Sequence, residues 1–326
     1  MKILIIRFSS MGDIVLTTPV PRLLKKKFPN SNIHFITKDE YSYIYDNNIN
    51  VDKVIKFKDN PIEILTQLRS EKYDLVVDLH NNLRSNFIKL FLLKTSITYK
   101  KYFFKRWLLT NLKIKLKIKH IAKSYIETLL KINIYDDGEG LDFYFSKKRK
   151  EIKLPSIYNN GFIVVVVGAK HKTKRLTSKK LIELCDKING PIVLVGGKSE
   201  IPISKKLENF FNYSDLRIRD ELNKKTYIYN LCGKLNIEES AYIIKMSDKV
   251  FTHDTGLMHI ASALKKKIFS IFGSTHSNLG FYPFRTSFSV IENNNLSCRP
   301  CTKIGYAKCP AGHFKCMKDL KFDDVS

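Results

Sequence analysis

The chain has 326 residues, 57 Lys and Arg against 31 Asp and Glu for a formal charge of +26, and is 44% hydrophobic. That apolar content supports real cores and excludes intrinsic disorder, and the length suits about two domains. The longest apolar run, residues 162–167 extended by Gly168 and Ala169, is far short of a bilayer span, and the four apolar residues before Arg7 are too few for a secretory signal, so a cytoplasmic protein with no membrane-spanning segment is expected.

An apolar run at 2–8 ends at Ser9-Ser10-Met11-Gly12-Asp13. Ile14, Val15, Leu16, Val20, Leu23 and Leu24 then recur at helical spacing, which predicts a buried strand, a tight turn and an amphipathic helix. Strands are expected at 32–37, 54–57 and 74–79, with a helix at 61–70. Alternation of this kind makes a parallel sheet covered on both faces. From about Phe145 the chain turns polar and basic through Ser146-Lys147-Lys148-Arg149-Lys150, passes Pro155 and reaches Asn159-Asn160-Gly161. A linker there divides 1–157 from 158–326. The second part predicts strands at 162–167, 191–195, 249–252 and 268–272, and helices at 178–188, 238–246 and 258–264. The fold class is α/β, two doubly wound halves with a cleft between them. In such sheets ligands bind outside the carboxyl ends of the strands.

That rule selects four loops. Asp13, after the first strand, is placed to accept a proton from a substrate hydroxyl. The alternative is an ordinary N-cap Asp stabilised by the helix dipole. No G-x-G-x-x-G follows the strand, which argues against a nucleotide-dependent dehydrogenase. Asp78-Leu79-His80-Asn81-Asn82-Leu83-Arg84-Ser85 closes another strand, and Arg84 is suited to pair with an acceptor carboxylate. In the second half, the Lys-rich loop from Gly168 to Thr177 offers point charges for phosphate, or is simply a solvated basic loop. Thr252-His253-Asp254-Thr255-Gly256-Leu257-Met258-His259 joins a strand to a helix. There Gly256 admits close backbone approach, and the helix N–H groups suit a diphosphate; the alternative is a capped turn.

Between Asp78 and Glu127 there is no acidic residue, but there are Arg84, Lys89, Lys94, Lys100, Lys101, Lys105, Arg106, Lys113, Lys115, Lys117, Lys119 and Lys123, interleaved with aromatics that include Phe103, Phe104 and Trp107. A one-sign stretch of this length points to an anionic partner. A nucleic-acid-binding protein would account for the charge, but no RNA- or DNA-binding signature accompanies it. Cys185 and Cys232 stand alone and read as core. Cys298, Cys301, Cys309 and Cys316 cluster, either around a structural zinc or as reduced thiols packing an irregular segment.

Together these pieces resemble glycosyltransferase family 9, the ADP-heptose:lipopolysaccharide heptosyltransferases. The segment from Ile6 to Asp13 with Leu16-Thr17-Thr18-Pro19 is similar to the family's N-terminal signature. The stretch from Asp78 to Ser85 is similar to its D-L-H-x-N-L-R-S motif, and Lys174-Arg175-Leu176 to its K-R/H-W/L element. Asp254 to His259 with Ala261, Ala263 and Leu264 resembles its D-T/S-G-x-x-H-x-A-x-A-L block, and Cys298 to Met317 its C-terminal tail. The resemblance implies a GT-B fold, two Rossmann-like domains facing a central cleft, with acceptor in the N-terminal one and donor in the C-terminal one. It implies inverting, metal-independent transfer of heptose from ADP-heptose to the Kdo or heptose inner core on lipid A, with no cofactor; another nucleotide sugar or glycan acceptor is the alternative within the family. Asp13 would be the general base. Lys174, Thr255, Gly256, Leu257 and His259 would hold the diphosphate, and Asp254 would support that loop or the donor sugar. Asn230 stands where some members place a ribose-binding carboxylate. Arg84, Lys101, Lys105 and Arg106 would face the anionic acceptor, and the basic stretch would dock peripherally on the inner leaflet of the cytoplasmic membrane, with no nucleic acid involved. Members usually continue past the position of residues 323–326 into a terminal helix.

Overall fold

Apolar runs such as Ile3 to Ile6, fully buried, become the central strands of two parallel sheets. In a computed structural model, which describes residues 1–58, 60, 62–114, 116–148, 151–212 and 225–323, the chain forms two units. One is Met1–Tyr102 with Lys119–Lys147; the other is Phe103–Ile118 with Lys148–Ser326. Residues 103–118, which precede the expected linker near 157, thus pack with the second unit. Pro61 at the expected helix start, Lys115 of the basic stretch, Arg149 and Lys150 of the linker, and residues 324–326 lie outside the described residues.

The first unit contains β1 (Lys2–Ile6), β2 (Asn32–Lys38), β3 (Lys53–Phe57), β4 (Leu75–Asp78) and β5 (Thr95–Thr98), all parallel in the order β3-β2-β1-β4-β5. Ile6 of β1 pairs with Asp78 of β4, so the loops after both strands leave the same sheet edge side by side. The helix expected after β1 is two helices, α1 (Met11–Val15) and α2 (Pro19–Lys27). Pro19 explains the break: it takes the first helical position, where its missing N–H costs nothing. Then come α3 (Ile62–Ser70) and α4 (Leu83–Leu92), the latter capped by Asn82, whose side chain accepts from the Ser85 N–H at 2.9 Å. Helix α5 (Phe103–Asn111) belongs to the second unit, and α6 (Ile121–Ile126) returns to the first.

The second unit contains β6 (Ile163–Val166), β7 (Pro191–Val195), β8 (Tyr227–Asn230), β9 (Lys249–His253), β10 (Lys267–Phe272) and β11 (Phe288–Glu292), parallel in the order β11-β10-β9-β6-β7-β8. Its helices are α7 (Ser178–Ile188), α8 (Ile201–Asn212), α9 (Ile237–Met246), α10 (Gly256–Ala263) and the short α11 (Lys315–Lys318). Val166 pairs with Thr252 and His253 with Ile271, so the loops after β6, β9 and β10 emerge together at one edge. Cys185, Cys232 and Cys316 are buried in this unit's core. Among the described residues, no helix is long and apolar enough to cross a membrane.

Candidate active site

At the edge of the first sheet the chain builds a carboxylate that is held from several directions. Ser10 is the N-cap of α1 and Asp13 the third helical residue, so the ordinary N-cap reading of Asp13 is replaced by a reciprocal capping arrangement. The Ser10 hydroxyl donates to Asp13 Oδ2 at 2.9 Å, and the Ser10 N–H reaches the same oxygen at 3.4 Å. The other oxygen, Oδ1, pairs with the Arg7 guanidinium at 2.9 Å and accepts from the Tyr125 hydroxyl at 3.4 Å. Arg7 is itself buried, with Nε and Nη1 each donating at 2.7 Å to the Ser9 and Leu79 carbonyls and its guanidinium over the Tyr125 ring. Burial opposes its charge, and Asp13, with Tyr125 and Tyr99, more than offsets this and raises its affinity for the proton. Asp13 nonetheless keeps a fifth of its side-chain surface open. A partly open carboxylate with fixed orientation is what a general base needs.

The loop after β4 supplies the neighbour. Asp78 is fully buried and structural: it accepts from the His80 and Asn81 N–H groups and the Ser85 hydroxyl, and pairs with Lys89 at 2.9 Å. His80 packs on Phe8, and its Nδ1 is buried without a hydrogen-bond partner. Burial, then the charges of Arg7 and Lys101, push His80 down to about 4, so it is a neutral imidazole at physiological pH. Arg84 and Lys101 are exposed on the first unit, while Lys105 and Arg106 lie on α5 in the second.

In the second unit the Lys174 ammonium sits 2.7 Å from Asp254 Oδ2 and also donates to the Asp254 carbonyl at 3.2 Å. The Thr275 hydroxyl donates to Oδ2 as well, at 2.9 Å. Thr255 is the N-cap of α10, yet its side chain makes no cap hydrogen bond. The first N–H groups of a helix have no intrahelical partner, so those of Gly256 and Leu257 are the natural donors for an anion placed beside Lys174. His259 and Leu257 are buried within α10. His253 anchors the Lys-rich loop: its Nε2 accepts from the Leu176 N–H at 3.0 Å, and burial pushes this imidazole down to about 4. Lys170 and Lys172 are exposed, so only Lys174 of that loop's three lysines turns inward. Asn230, at the end of β8, is committed to local bonds, donating to Glu208 at 3.1 Å and accepting from the Cys232 N–H.

The Cys-rich segment braces these loops. Thr173 and Tyr306 exchange backbone and hydroxyl hydrogen bonds of 2.7–3.1 Å, and the Cys301 N–H donates to the Ser274 carbonyl. Buried Arg299 donates to the carbonyls of Phe272, Gly273 and Thr275 and pairs with Glu292 at 3.0 Å. All six cysteines are free thiols, with Cys298 Sγ 3.8 Å from His313 Nε2 and Cys316 pushed up to about 12 by burial. Among the described residues, no group of three or more His, Cys, Asp or Glu is placed to hold a metal ion.

Sequence reasoning missed Arg7 and Tyr125 as the partners of Asp13. Arg7 had a signal, a charge at the end of a strand too apolar to be solvated, which must find a partner when buried. Tyr125 had none, being 112 residues from Asp13.

The sequence profile of glycosyltransferase family 9 (heptosyltransferase) matches residues 62–310. Lipopolysaccharide heptosyltransferase 1 of Campylobacter coli is 27% identical over 300 residues, 85% of each chain. Lipooligosaccharide heptosyltransferase 2 of Campylobacter jejuni is 25% identical over 334 residues, covering 100% of this chain and 97% of that protein. The solved E. coli ADP-heptose lipopolysaccharide heptosyltransferase II superposes with a TM-score of 0.66 at 18% identity, over 94% of this chain and 92% of that one. The two parallel α/β sheets are thus those of the GT-B class.

Proposed function

The chain belongs to glycosyltransferase family 9, the heptosyltransferases, and we propose that it moves a heptose from ADP-heptose to the Kdo or heptose inner core of lipopolysaccharide, with inversion and without a metal. The observation that carries this reading is the oriented, partly open Asp13 carboxylate at the carboxyl edge of the first sheet. The names of the two Campylobacter relatives support the acceptor class, and that of the E. coli neighbour supports the donor.

In this reading the acceptor hydroxyl attacks the anomeric carbon while Asp13 takes its proton. The electron pair of the breaking anomeric C–O bond leaves with ADP. Lys174 and the first N–H groups of α10 meet the charge that develops on the diphosphate, a fixed positive field that needs no ion to supply it. Asp254, with Thr275, holds the Lys174 ammonium in place. One displacement of this kind inverts the anomeric centre. The first unit supplies acceptor residues, among them Arg84 and Lys101, and the second, which carries Lys105 and Arg106 on α5, binds the donor. The protein then works peripherally at the inner face of the cytoplasmic membrane, where its acid-free stretch meets anionic lipid.

The test is transfer from ADP-heptose to Kdo-bearing lipid A, followed as ADP release and by the anomeric configuration of the product, with and without EDTA. Inverted product at equal rates in both supports the proposal. Retained configuration, or loss of turnover in EDTA, refutes the mechanism. Thermal stabilisation by UDP- or GDP-sugars but not by ADP-heptose refutes the donor.

A further inference from the structure

Helix α5 carries its aromatic residues on the outside. Phe103 and Phe104 are 67% and 68% exposed and Trp107 40%, while the helix buries only Leu109 and Thr110. A helix of a water-soluble protein normally turns its apolar face inward, so an outward aromatic face marks a surface that is covered in use. The loop beside it continues the face. Lys303 Nζ lies 4.0 Å from the Phe103 ring centroid, Lys113 Nζ donates to the Pro300 carbonyl at 2.7 Å, and Ile304 and Tyr306 of the same loop are exposed.

The charge around these rings has one sign. Residues 103–118 and 296–312 contain no Asp or Glu. The Arg106 guanidinium rests on the Phe281 ring at 5.0 Å, with Nε and Nη2 buried and no hydrogen-bond partner. Lys303 is held below its usual range by burial first and by Arg106 second. A second copy of the chain would bring the same positive charge to the same face and be repelled. A layer of anionic phosphates over hydrocarbon answers both features, since Trp, Tyr and Phe settle at the headgroup level and Lys and Arg meet the phosphates.

We propose that α5 and the loop at 303–306 form a docking surface for an anionic lipid leaflet, with Phe103, Phe104 and Trp107 entering the interface and Lys303 on the phosphates. This rests on the reading of the chain as acting on a lipid-borne acceptor and adds which face meets the lipid. It also ties that face to the donor loop, because Tyr306 is hydrogen-bonded to Thr173, the residue before Lys174.

Trp107 is the only tryptophan in the chain, so intrinsic tryptophan emission reports on α5 alone. The full chain is titrated with vesicles of phosphatidylcholine and of phosphatidylcholine with phosphatidylglycerol, alongside a Phe103→Ser/Phe104→Ser variant. The expected result is a blue shift of Trp107 with the anionic vesicles, weakened by salt and absent with phosphatidylcholine alone. The variant should partition at least about tenfold less, since a buried aromatic side chain is worth about that much, while calorimetry shows unchanged ADP affinity. Protein that pellets with anionic vesicles while Trp107 emission stays fixed docks by another face, and the proposal fails. Protein that ignores vesicles but transfers heptose to a delipidated acceptor overturns the docking surface and leaves the proposed function standing. A dimer that the double substitution dissolves, with no vesicle response, also overturns it.

Discussion

Asp13→Asn separates chemistry from architecture, because the structure lets both effects be sized. The carboxylate serves two sets of donors at once: Oδ1 takes Arg7 and Tyr125, Oδ2 takes the Ser10 hydroxyl and N–H. Asparagine has one acceptor oxygen, so whichever way it turns, one set faces an NH2 group instead. With its oxygen kept toward Arg7, the Ser10 N–H loses its acceptor and the Arg7 bond becomes neutral on one side. Arg7 retains its bonds to Ser9 and Leu79. The expected stability cost is about 1–2 kcal/mol, small against a domain stability of roughly 5–15 kcal/mol. A missing general base costs on the order of 10²–10⁴-fold in turnover, or about 3–5 kcal/mol of barrier. Steady-state ADP release, calorimetry with ADP and thermal unfolding on the same preparation read the three quantities apart. The expected outcome is a folded variant with near-normal ADP affinity and turnover down at least a hundredfold. Turnover within a few-fold of the parent, with the matched donor and acceptor, would refute Asp13 as the base and leave it a capping residue.

Other residues give tests of the second unit. Lys174→Ala removes the ammonium beside Asp254 and should weaken ADP by about 1.5–3 kcal/mol, roughly ten- to hundredfold; an unchanged calorimetric Kd takes Lys174 out of the site. Gly273→Ala places a Cβ 2.7 Å from the Thr173 carbonyl and 2.5 Å from Met317 Cε. Methionine can move but the backbone cannot, so a loss of about 1–3 kcal/mol in urea unfolding is expected, with weaker ADP binding because Lys174 follows Thr173. Gly190→Ala, whose Cβ meets only a carbonyl at 3.9 Å, is the control that should be nearly silent. His253 stays neutral in the fold down to about 4, whereas an unfolded histidine titrates near 6.5. Over that window the unfolded chain binds the extra proton, so stability falls as pH falls, by up to about 3 kcal/mol in total. Denaturant titrations of the parent and His253→Gln at pH 7.5, 5.5 and 4.5 should show the flatter profile in the variant, and parallel profiles would contradict the assignment.

Most strands that the sequence reveals are buried on both faces, the half-exposed edge strand β3 being the exception. β1, β6, β7 and β10 read as continuous apolar runs because parallel strands under helices must be apolar throughout. The strands it conceals, β5, β8 and β11, are all at sheet edges. Thr-Ser-Ile-Thr and Tyr-Ile-Tyr-Asn carry too little apolar character to stand out, because an edge strand is covered on fewer sides. Helices α4 and α5 hide for a related reason: both leave leucines or aromatics exposed, so their apolar residues do not trace one inward stripe. The loops at the sheet edges were legible as motifs, since Asp, Gly and Lys there are chosen by local geometry. What holds Asp13 was not, because Tyr125 reaches it through the tertiary fold and no spacing in the sequence encodes that approach.

The interleaving of the two units has a consequence for synthesis of the chain. Residues 103–118 leave the ribosome with the first unit but pack against Asn278, Phe281, Pro300 and Lys303, which are made much later. At about 5–20 residues per second this leaves α5 waiting for on the order of ten to forty seconds. The first unit closes its own sheet with β5, made just before this segment, and needs only the return of residues 119–147 to finish. The aromatic face of α5 therefore stays without the rest of its unit until residues 278–303 have been made.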